Sequence, residues 1–268
     1  MEKVSPSFKK PPIVEVAVSV SFQKIDRFSA VHFGLLWSTM RDQFPEFRPM
    51  PELADVIETF DGPVAAANKL EFVDVPDLRG WYISGDDTEV VQIQGDRFIY
   101  NWRRGSGGAE YPRYESHVRK RFLSEWHRFQ QFLASESMAV PAVHQCEITY
   151  INQIPDGCGW TSVEDLGKVF QSIGHLRKDS FLQSAETARI SFSFVIPGQM
   201  CRIRPTITLG VASDKSLVLN FAIAAKGTPR GATESEIMAW MDMAKTCVVH
   251  AFSDLTTVEM HEIWERIE

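Results

Sequence analysis

The sequence has few cysteines and no long apolar run, and these absences exclude several classes of protein. Cysteine occurs only four times, and no two cysteines form a Cys-x-x-Cys pair. Cysteines scattered in this way are typical neither of a zinc site nor of a disulfide framework, so we expect a reduced protein. The first residues lack the apolar segment of a signal peptide, and no stretch reaches the roughly 18 apolar residues that span a membrane. We therefore predict a cytoplasmic protein without a membrane partner.

Recognisable catalytic motifs are also missing. The seven histidines form no His-Glu-x-x-His spacing, and neither a Gly-x-Ser-x-Gly elbow nor a cysteine–histidine arrangement is present. The glycine-rich residues 105–108 lack the Lys-Ser or Lys-Thr ending of a phosphate loop, so they favour a flexible connector. We predict no metal site, no cofactor and no catalytic residue, and an enzyme is the less favoured class.

The composition is that of a globular protein with a small acidic excess. Of 268 residues, 44% are hydrophobic and 24% are charged, and 7 Trp and 18 Phe supply aromatic area for a large core. With 28 basic and 35 acidic residues, the net charge is −7, which argues against a protein that coats nucleic acid without sequence preference. The length allows one large domain or two smaller ones.

The clearest structural pattern lies between Gly80 and Arg104, where three alternating segments are separated by two glycine-containing turns. A two-residue loop that begins with glycine, such as residues 95–96, is a strong signal for a β-hairpin. Counting from that loop pairs position 94 with 97, 93 with 98, 92 with 99 and 91 with 100. One face of the hairpin is apolar and carries Val91, Ile93, Phe98, Tyr100 and Trp102. The other face is polar and carries Gln92, Gln94, Arg97, Asn101 and Arg103.

The spacing of apolar residues predicts most of the other elements. Alternation indicates a strand over residues 13–22, and a period near 3.6 indicates helices over 29–43 and 111–136. Residues 45–79 are rich in proline and give only weak signals, for a short helix at 51–58 and a strand at 69–75.

Similar patterns follow in the second half of the chain. The predicted strands are residues 146–154, 188–196, 201–211 and 216–225, and a short helix is predicted over 162–170, with Ser162 and Asp165 as a capping pair. A capping box of Thr233 and Glu236 indicates the start of a long helix. Thr256 and Glu259 repeat that device for a final turn.

These elements predict an α+β fold of two similar halves, each with the order strand, helix, three antiparallel strands and long helix. The halves cover residues 12–138 and 139–268 after a mobile leader of residues 1–11, and together they form one antiparallel sheet backed by two long helices. Glu15 and Glu147 occupy matching places in the first strand of each half, and Asn101 matches Asn220. These matches favour an internal duplication.

Several short motifs are distributed over nearly the whole chain. They are Pro-Pro-Ile-Val-Glu at 11–15, Gln-Ile-Gln-Gly-Asp-Arg-Phe-Ile-Tyr-Asn-Trp-Arg at 92–103, Tyr-Pro-Arg-Tyr-Glu at 111–115, Ile-Thr-Tyr-Ile-Asn at 148–152 and His-Ala-Phe-Ser-Asp-Leu-Thr-Thr at 250–257. In these motifs the chain resembles a sporadically distributed bacterial family of uncharacterised proteins of similar length. The resemblance implies no activity, cofactor or catalytic residue.

The polar side of the predicted sheet is the leading candidate for a functional site. Alternation places amide, carboxylate and guanidinium groups there, beside small residues such as Ala17 and Ser19 that allow close approach to the backbone. The ligand-binding candidates are Glu15, Gln92, Gln94, Arg97, Asn101, Arg103, Glu147 and Asn220. A solvated sheet face, or a seam between the two halves or between the subunits of a homodimer, would explain the same pattern.

Three functional hypotheses follow. The first is a non-enzymatic binding or regulatory protein that receives an unknown protein, peptide or small molecule on this face. The second is a nucleic-acid or polyanion contact, since residues 97–128 hold eight basic residues against three glutamates. Its candidates lie on the basic segment 113–128 and are Arg113, Arg119, Lys120, Arg121 and Arg128. The third is a hydrolase or isomerase in which Glu15 and Glu147 form a carboxylate pair with separated pKa values.

Overall fold

The computed structural model describes residues 5–54, 57–60, 78–171, 173–174, 181, 185–212 and 215–267. Within these ranges, ten strands form one antiparallel sheet. The strands are β1 (Ile13–Phe22), β2 (Glu46–Pro51), β3 (Leu78–Ile83), β4 (Glu89–Gln94), β5 (Arg97–Arg103), β6 (Val143–Pro155), β7 (Arg189–Ser191), β8 (Phe194–Ile196), β9 (Cys201–Val211) and β10 (Leu217–Gly227). Their order is β2-β3-β4-β5-β1-β6-β10-β9-β7, and β8 also pairs with β9.

Helices α2 and α4 cover one face of this sheet, so the predicted α+β class with an antiparallel sheet is confirmed. The helices are α1 (Ala30–Met40), α2 (Arg119–Ser135), which follows a π-helical turn at Tyr114–Val118, α3 (Leu166–Val169), which follows a 3-10 turn at Val163–Asp165, α4 (Glu234–Leu255) and α5 (Val258–Ile263). Among the residues described, no helix is both long and apolar enough to cross a membrane.

Aromatic side chains fill the layer between the sheet and the two long helices. Phe98 of β5 is fully buried, and its ring centroid lies 5.9 Å from that of Phe122 and 5.7 Å from that of Phe129, both on α2. In the second half, Phe221 of β10 lies 5.9 Å from Phe252 of α4. Aromatic pairs at these separations add to the stability that burial provides. The prediction that the long helix packs on the aromatic side of the hairpin is confirmed.

The predicted hairpin register is also confirmed. Gln94 pairs with Arg97 and Ile93 with Phe98, and the pairing continues in step to Glu89 and Trp102. The two-residue loop between the strands is held by the neighbouring chain, because its carbonyl groups accept hydrogen bonds from the N–H groups of Phe22, at the end of β1, and Ile25. The turn chemistry and the alternation therefore specify the same register.

The proline-rich region contains an edge strand that the sequence pattern did not predict. Residues Glu46–Pro51 pair with β3 at the end of the sheet, although they include Pro49 and Pro51. Proline is tolerated at an edge because the missing N–H can face away from the ladder. The helix predicted at 51–58 is wrong where the structure describes it, since residues 52–54 and 57–60 are not helical. The strand predicted at 69–75 lies outside the described residues.

The strand predicted over residues 188–196 is split in two. Both pieces pair with β9, and the break at positions 192 and 193 lies opposite Arg204 and Pro205. Because Pro205 has no N–H, one ladder hydrogen bond is missing there. Helix boundaries differ by smaller amounts: the region 162–170 is a 3-10 turn followed by α3, without a side-chain cap at Ser162. The cap of α5 is Thr257, one residue after the predicted position.

The leader predicted to be mobile is held in place over its described part. Phe8 is buried, and its ring contacts Phe252, His261 and Trp264. Main-chain hydrogen bonds join residues 7, 9 and 10 to residues 264, 265 and 267 at the other end of the chain. The aromatic side chain at position 8 explains this packing, because exposing it would cost the free energy of its burial.

The two predicted halves lie on either side of the β1–β6 pair. The register nevertheless makes the two residue matches proposed for them incompatible. Asn101 lies opposite Ala17 and donates to Glu15, whereas Asn220 lies opposite Gln153, six residues from Glu147 along β6. The match of Glu15 with Glu147 and that of Asn101 with Asn220 therefore cannot both hold, and the internal duplication stays a prediction.

Candidate functional site

The polar face of the sheet is the side away from α2 and α4, and several of its predicted binding residues are buried. Gln92, Gln94, Arg97 and Asn101 each have less than a tenth of their surface exposed. They share this side because residues two apart on a strand point to the same face. Buried polar groups need hydrogen-bond partners, and the partners of these four lie within the chain.

A line of hydrogen bonds crosses the sheet from β3 to β1. Arg79 donates to Gln92 Oε1 at 2.9 Å, and Gln92 donates to Asn101 Oδ1 at 2.8 Å. Asn101 in turn donates to Glu15 Oε1 at 2.5 Å. Burial raises the pKa of Glu15, and the Asn101 amide and the charge of Arg103 oppose that rise. The predicted residues Glu15, Gln92 and Asn101 thus lie together, and their side chains are joined by hydrogen bonds.

A second line of polar residues holds a segment of the chain itself. The register places Gln94, Arg97, Ser21 and Gln145 in one row across β4, β5, β1 and β6. Gln94 accepts from the N–H of Leu53 and donates to its carbonyl oxygen, both at 3.0 Å. At the far end of the row, Gln145 accepts from the N–H at position 58, at 2.8 Å. These contacts engage the main chain, so they do not depend on which side chains the segment carries.

The side chain of Glu58 is the charged contact of this segment. It is 1% exposed and receives hydrogen bonds at Oε2 from Arg202 Nε at 3.0 Å and from Arg204 at 2.9 Å. Arg204 also bonds the other carboxylate oxygen. Burial opposes ionisation of this carboxyl group, but the two guanidinium groups outweigh it and hold the pKa of Glu58 below its ordinary value. Arg202 further donates to the carbonyl oxygen of Thr59 at 2.6 Å.

The remaining predicted residues lie elsewhere on the face and do not converge. Arg103 forms an ion pair with Asp87 in the turn before β4. Lys226 lies 3.5 Å from a carboxylate oxygen of Glu147. The amide of Asn220 accepts from Gln153 on the neighbouring strand, at 3.0 Å.

The carboxylate pair required by the hydrolase hypothesis does not form. Glu147 lies opposite Ser19 in the β1–β6 ladder, four positions from Glu15. At about 3.3 Å per residue, this offset separates the two backbone positions by about 13 Å. Each carboxylate instead has its own partner, Asn101 for Glu15 and Lys226 for Glu147. The predicted acid–base pair of Glu15 and Glu147 is therefore wrong, because the strand register keeps the two residues apart.

Two residues at the start of the basic segment that suggested a nucleic-acid contact have partners within the protein. Arg119 Nε lies 3.0 Å from Asp242 on α4, an ion pair that joins the two long helices. Arg113 donates to the carbonyl oxygen of Phe8 at 3.0 Å. Lys120 is exposed and forms no ion pair with the residues that the structure describes. Only part of the predicted basic surface thus remains available to a polyanion.

Further along α2, the basic residues belong to a buried network. Arg121 lies 2.6 Å from Glu89 on β4 and 3.1 Å from Glu125, whose side chain is fully buried. Arg128 lies 3.4 Å from the same Glu125. Burial opposes ionisation of Glu89, but the hydrogen bonds and charge of Arg121, together with the hydroxyl of Tyr100, hold its pKa below the ordinary value. This network stabilises the contact between α2 and the hairpin.

Four residues of the polar face were missed by sequence reasoning, namely Glu58, Gln145, Arg202 and Arg204. The two arginines did carry a signal, since they are two apart in a strand and alternate with buried Cys201 and Ile203. Glu58 carried none, because it lies in the proline-rich region, where the weak signal predicted a short helix at 51–58 and gave no indication of a contact with the sheet. Among the described residues, no cluster of three or more histidine, cysteine or acidic side chains could hold a metal ion.

Comparison with known proteins leaves the family open. No protein-family model matches this chain, and no curated protein matches it. Among solved structures, it aligns with the di-domain ARO/CYC StfQ from the steffimycin biosynthetic pathway at 9% identity, covering 90% of this chain and 98% of that one. The TM-score of this alignment is 0.16, which is too low to support an argument about fold or function.

Proposed function

We propose that this protein is a binding or regulatory protein whose polar sheet face receives an extended, acidic peptide segment of a partner. The observation that carries this proposal is the way in which residues 53–54 and 57–60 of the same chain contact that face. Two glutamine side chains hold the main chain of this segment, and two arginines hold its buried carboxylate. These are the two kinds of contact by which a surface recognises an extended peptide and fixes its register.

The chemistry of the face favours an acidic segment. Arg202 and Arg204 converge on a single carboxylate, and bidentate guanidinium–carboxylate contacts are among the strong charge-assisted hydrogen bonds. The sequence of residues 50–62 contains four acidic and no basic residues. A peptide of similar charge would meet the same two arginines, while Gln94 and Gln145 would bind its main chain whatever its sequence.

Occupation by the chain's own segment supports a regulatory role. A segment tethered to its binding site acts at an effective concentration on the order of 1 mM, so a partner peptide must compete with it. Weakening the internal contact should therefore raise the affinity for a peptide added in solution. We expect Glu58→Gln to do this, because it removes the charge that the two arginines bind and leaves the arginines in place.

The experiment measures binding of a fluorescein-labelled peptide with the sequence of residues 50–62, by fluorescence anisotropy. The Glu58→Gln protein should bind this peptide at least about tenfold more tightly than the wild-type protein does, since the competing segment is weakened. A peptide that itself carries Glu58→Gln should bind about tenfold less tightly to the same protein, because its carboxylate is lost.

Two further variants locate the binding surface. Adding Arg204→Gln to the Glu58→Gln protein should abolish the gain in affinity. Arg189→Gln provides the matched control, since Arg189 is an exposed arginine on β7 outside the Glu58 contact. Equal peptide affinities for the wild-type and Glu58→Gln proteins would contradict the proposal, as would a gain that survives Arg204→Gln.

A further inference from the structure

A cavity of about 300 Å³ lies on the face of the sheet opposite the polar surface. The N-terminal segment, the turn before α2 and helix α4 form its walls, and strands β6 and β10 form its floor. Its aromatic lining includes Phe8, Tyr111, Tyr114 and Phe252. This volume is at the lower end of the range for small-molecule pockets, so the cavity suits a compact ligand.

The floor of the cavity holds an unused hydrogen-bond donor. Tyr150 of β6 is 3% exposed, and its hydroxyl oxygen lies 3.0 Å from that of Tyr111. The two hydroxyl groups carry two protons, and only one proton can lie between them. The other proton has no acceptor among the described residues. Burial raises the pKa of both phenols, so both groups stay protonated near neutral pH.

The floor also holds an unused acceptor. Asn152 is 1% exposed and lies two residues after Tyr150 on the same strand, so both side chains are on the face of the sheet that lines the cavity. Its amide nitrogen donates to the carbonyl oxygen of Phe221 at 3.0 Å. Its amide oxygen accepts no hydrogen bond from the part of the chain that the structure describes. Tyr150 and Asn152 both line the cavity, so the spare phenolic proton and the amide oxygen are available to a polar group of a ligand.

The mouth of the cavity carries an excess of positive charge. Arg113 is exposed there, and its guanidinium carbon lies 6.0 Å from the centroid of the Tyr111 ring. Lys245 lies 2.7 Å from Glu115, and the lysine is the more buried partner, with 20% of its side chain exposed against 65% for the glutamate. The two cations and one carboxylate leave a net positive charge at the rim, which favours an anionic group on the ligand.

We infer that this cavity binds a compact aromatic carboxylic acid that also carries a hydroxyl group. The aromatic ring lies between the aromatic walls, and the carboxylate lies at the rim near Arg113 and Lys245. The ligand's hydroxyl group reaches the floor, where it accepts the spare phenolic proton and donates to the amide oxygen of Asn152. The inference does not depend on the polar face, because the two sites lie on opposite sides of the sheet.

Isothermal titration calorimetry with 4-hydroxybenzoate tests this inference on the 268-residue chain. We expect saturable binding of one molecule per chain, with a dissociation constant below about 1 mM. Benzoate, which lacks the hydroxyl group, should bind about tenfold less tightly. 4-Methylphenol, which lacks the carboxylate, should also bind about tenfold less tightly.

Variants connect the binding to the cavity. Val249→Trp fills the cavity from α4 and should abolish binding, whereas Val31→Trp, at an exposed position of α1, should leave it unchanged. The double change Tyr111→Phe and Tyr150→Phe keeps both rings and removes both hydroxyl groups, so it should preserve the fold. It should weaken 4-hydroxybenzoate about tenfold and leave benzoate unchanged.

Absence of saturable 4-hydroxybenzoate binding to the wild-type protein would overturn the inference. Binding that is unaffected by Val249→Trp, or equal affinities for 4-hydroxybenzoate and 4-methylphenol, would also overturn it. If Val249→Trp prevents folding, the double tyrosine variant still decides: an equal loss for benzoate and 4-hydroxybenzoate would contradict the assigned role of the hydroxyl groups.

Discussion

Replacing Glu58 by glutamine removes one charge from the polar face while keeping the shape of the side chain. In the wild-type protein this carboxylate is 1% exposed and is held by Arg202 and Arg204. Glutamine can accept a hydrogen bond from one arginine, but it cannot neutralise either of them. The variant therefore leaves two partly buried cations without their anion.

Removing one member of a buried ion pair costs about 3–5 kcal/mol. Arg204 is 30% exposed and can recover some hydration, so the lower end applies, and we expect about 3 kcal/mol. If the whole loss appears in global unfolding, the melting temperature should fall by about 6–12 °C. If the contacts of Leu53 and Glu58 open before the rest of the protein unfolds, the melting temperature falls less. In that case the amide protons at positions 53 and 58 should exchange about 100-fold faster.

The stability lost in Glu58→Gln should also depend on pH, because the pKa of Glu58 lies below its ordinary value of 4.5. A carboxyl group with a lowered folded-state pKa contributes stability above the unfolded-state pKa and loses it as pH falls through the folded-state pKa. The difference in stability between the wild-type protein and Glu58→Gln should therefore be constant near neutral pH. It should shrink as pH falls below about 4.5.

The matched control is Glu46→Gln. Glu46 pairs with Arg48 at the surface, where both side chains are about half exposed, so its loss should cost less than about 1 kcal/mol. Urea titration at pH 7 and pH 3.5, together with hydrogen exchange, measures these quantities. If Glu58→Gln matches Glu46→Gln in both stability and exchange, the two arginines do not hold the segment and the reasoning fails.

Three further substitutions test the fold, each by urea titration. Phe98→Ala removes a fully buried ring stacked against α2 and should lower the free energy of unfolding by about 4 kcal/mol; a loss below about 1 kcal/mol would contradict the assigned core. Thr233→Ala removes the side-chain oxygen that accepts a hydrogen bond from the N–H of Glu236, so it should lower the free energy of unfolding by about 1 kcal/mol. An unchanged free energy of unfolding would show that this cap does not stabilise α4. Gly227→Ala would place a Cβ atom 1.9 Å from the carbonyl oxygen of Met200, so it should lower the free energy of unfolding by about 2 kcal/mol. An unchanged free energy of unfolding would contradict this close approach of the end of β10 to Met200.

Sequence reasoning succeeded where one local pattern specified the structure. The loop at residues 95–96 and the alternation on either side agree on one register, and that register places Phe98 on the helix side and Arg97 on the polar side. The capping box of Thr233 and Glu236 likewise marks the start of α4. Patterns of this kind are readable because their periods, two for strands and 3.6 for helices, depend only on neighbouring residues.

Sequence reasoning failed where the proposed sites are built from residues that are distant in the sequence. Glu58 meets Arg202 and Arg204 across more than 140 positions, and nothing near residue 58 indicates that contact. The cavity is assembled from five separate elements, so no single stretch carries its pattern. Predicted polar-face residues such as Gln94 and Arg97 were placed on the correct side, but the sequence could not show that the chain's own segment contacts them.

Hydrogen exchange of the wild-type protein with and without a saturating acidic peptide tests the central claim most directly. In the free protein, the N–H groups of Leu53 and Glu58 donate to Gln94 and Gln145, so they should be protected. Binding of the 50–62 peptide on the polar face should displace them and abolish that protection. A peptide that binds while both N–H groups keep their protection would show that it binds elsewhere, which would contradict the account.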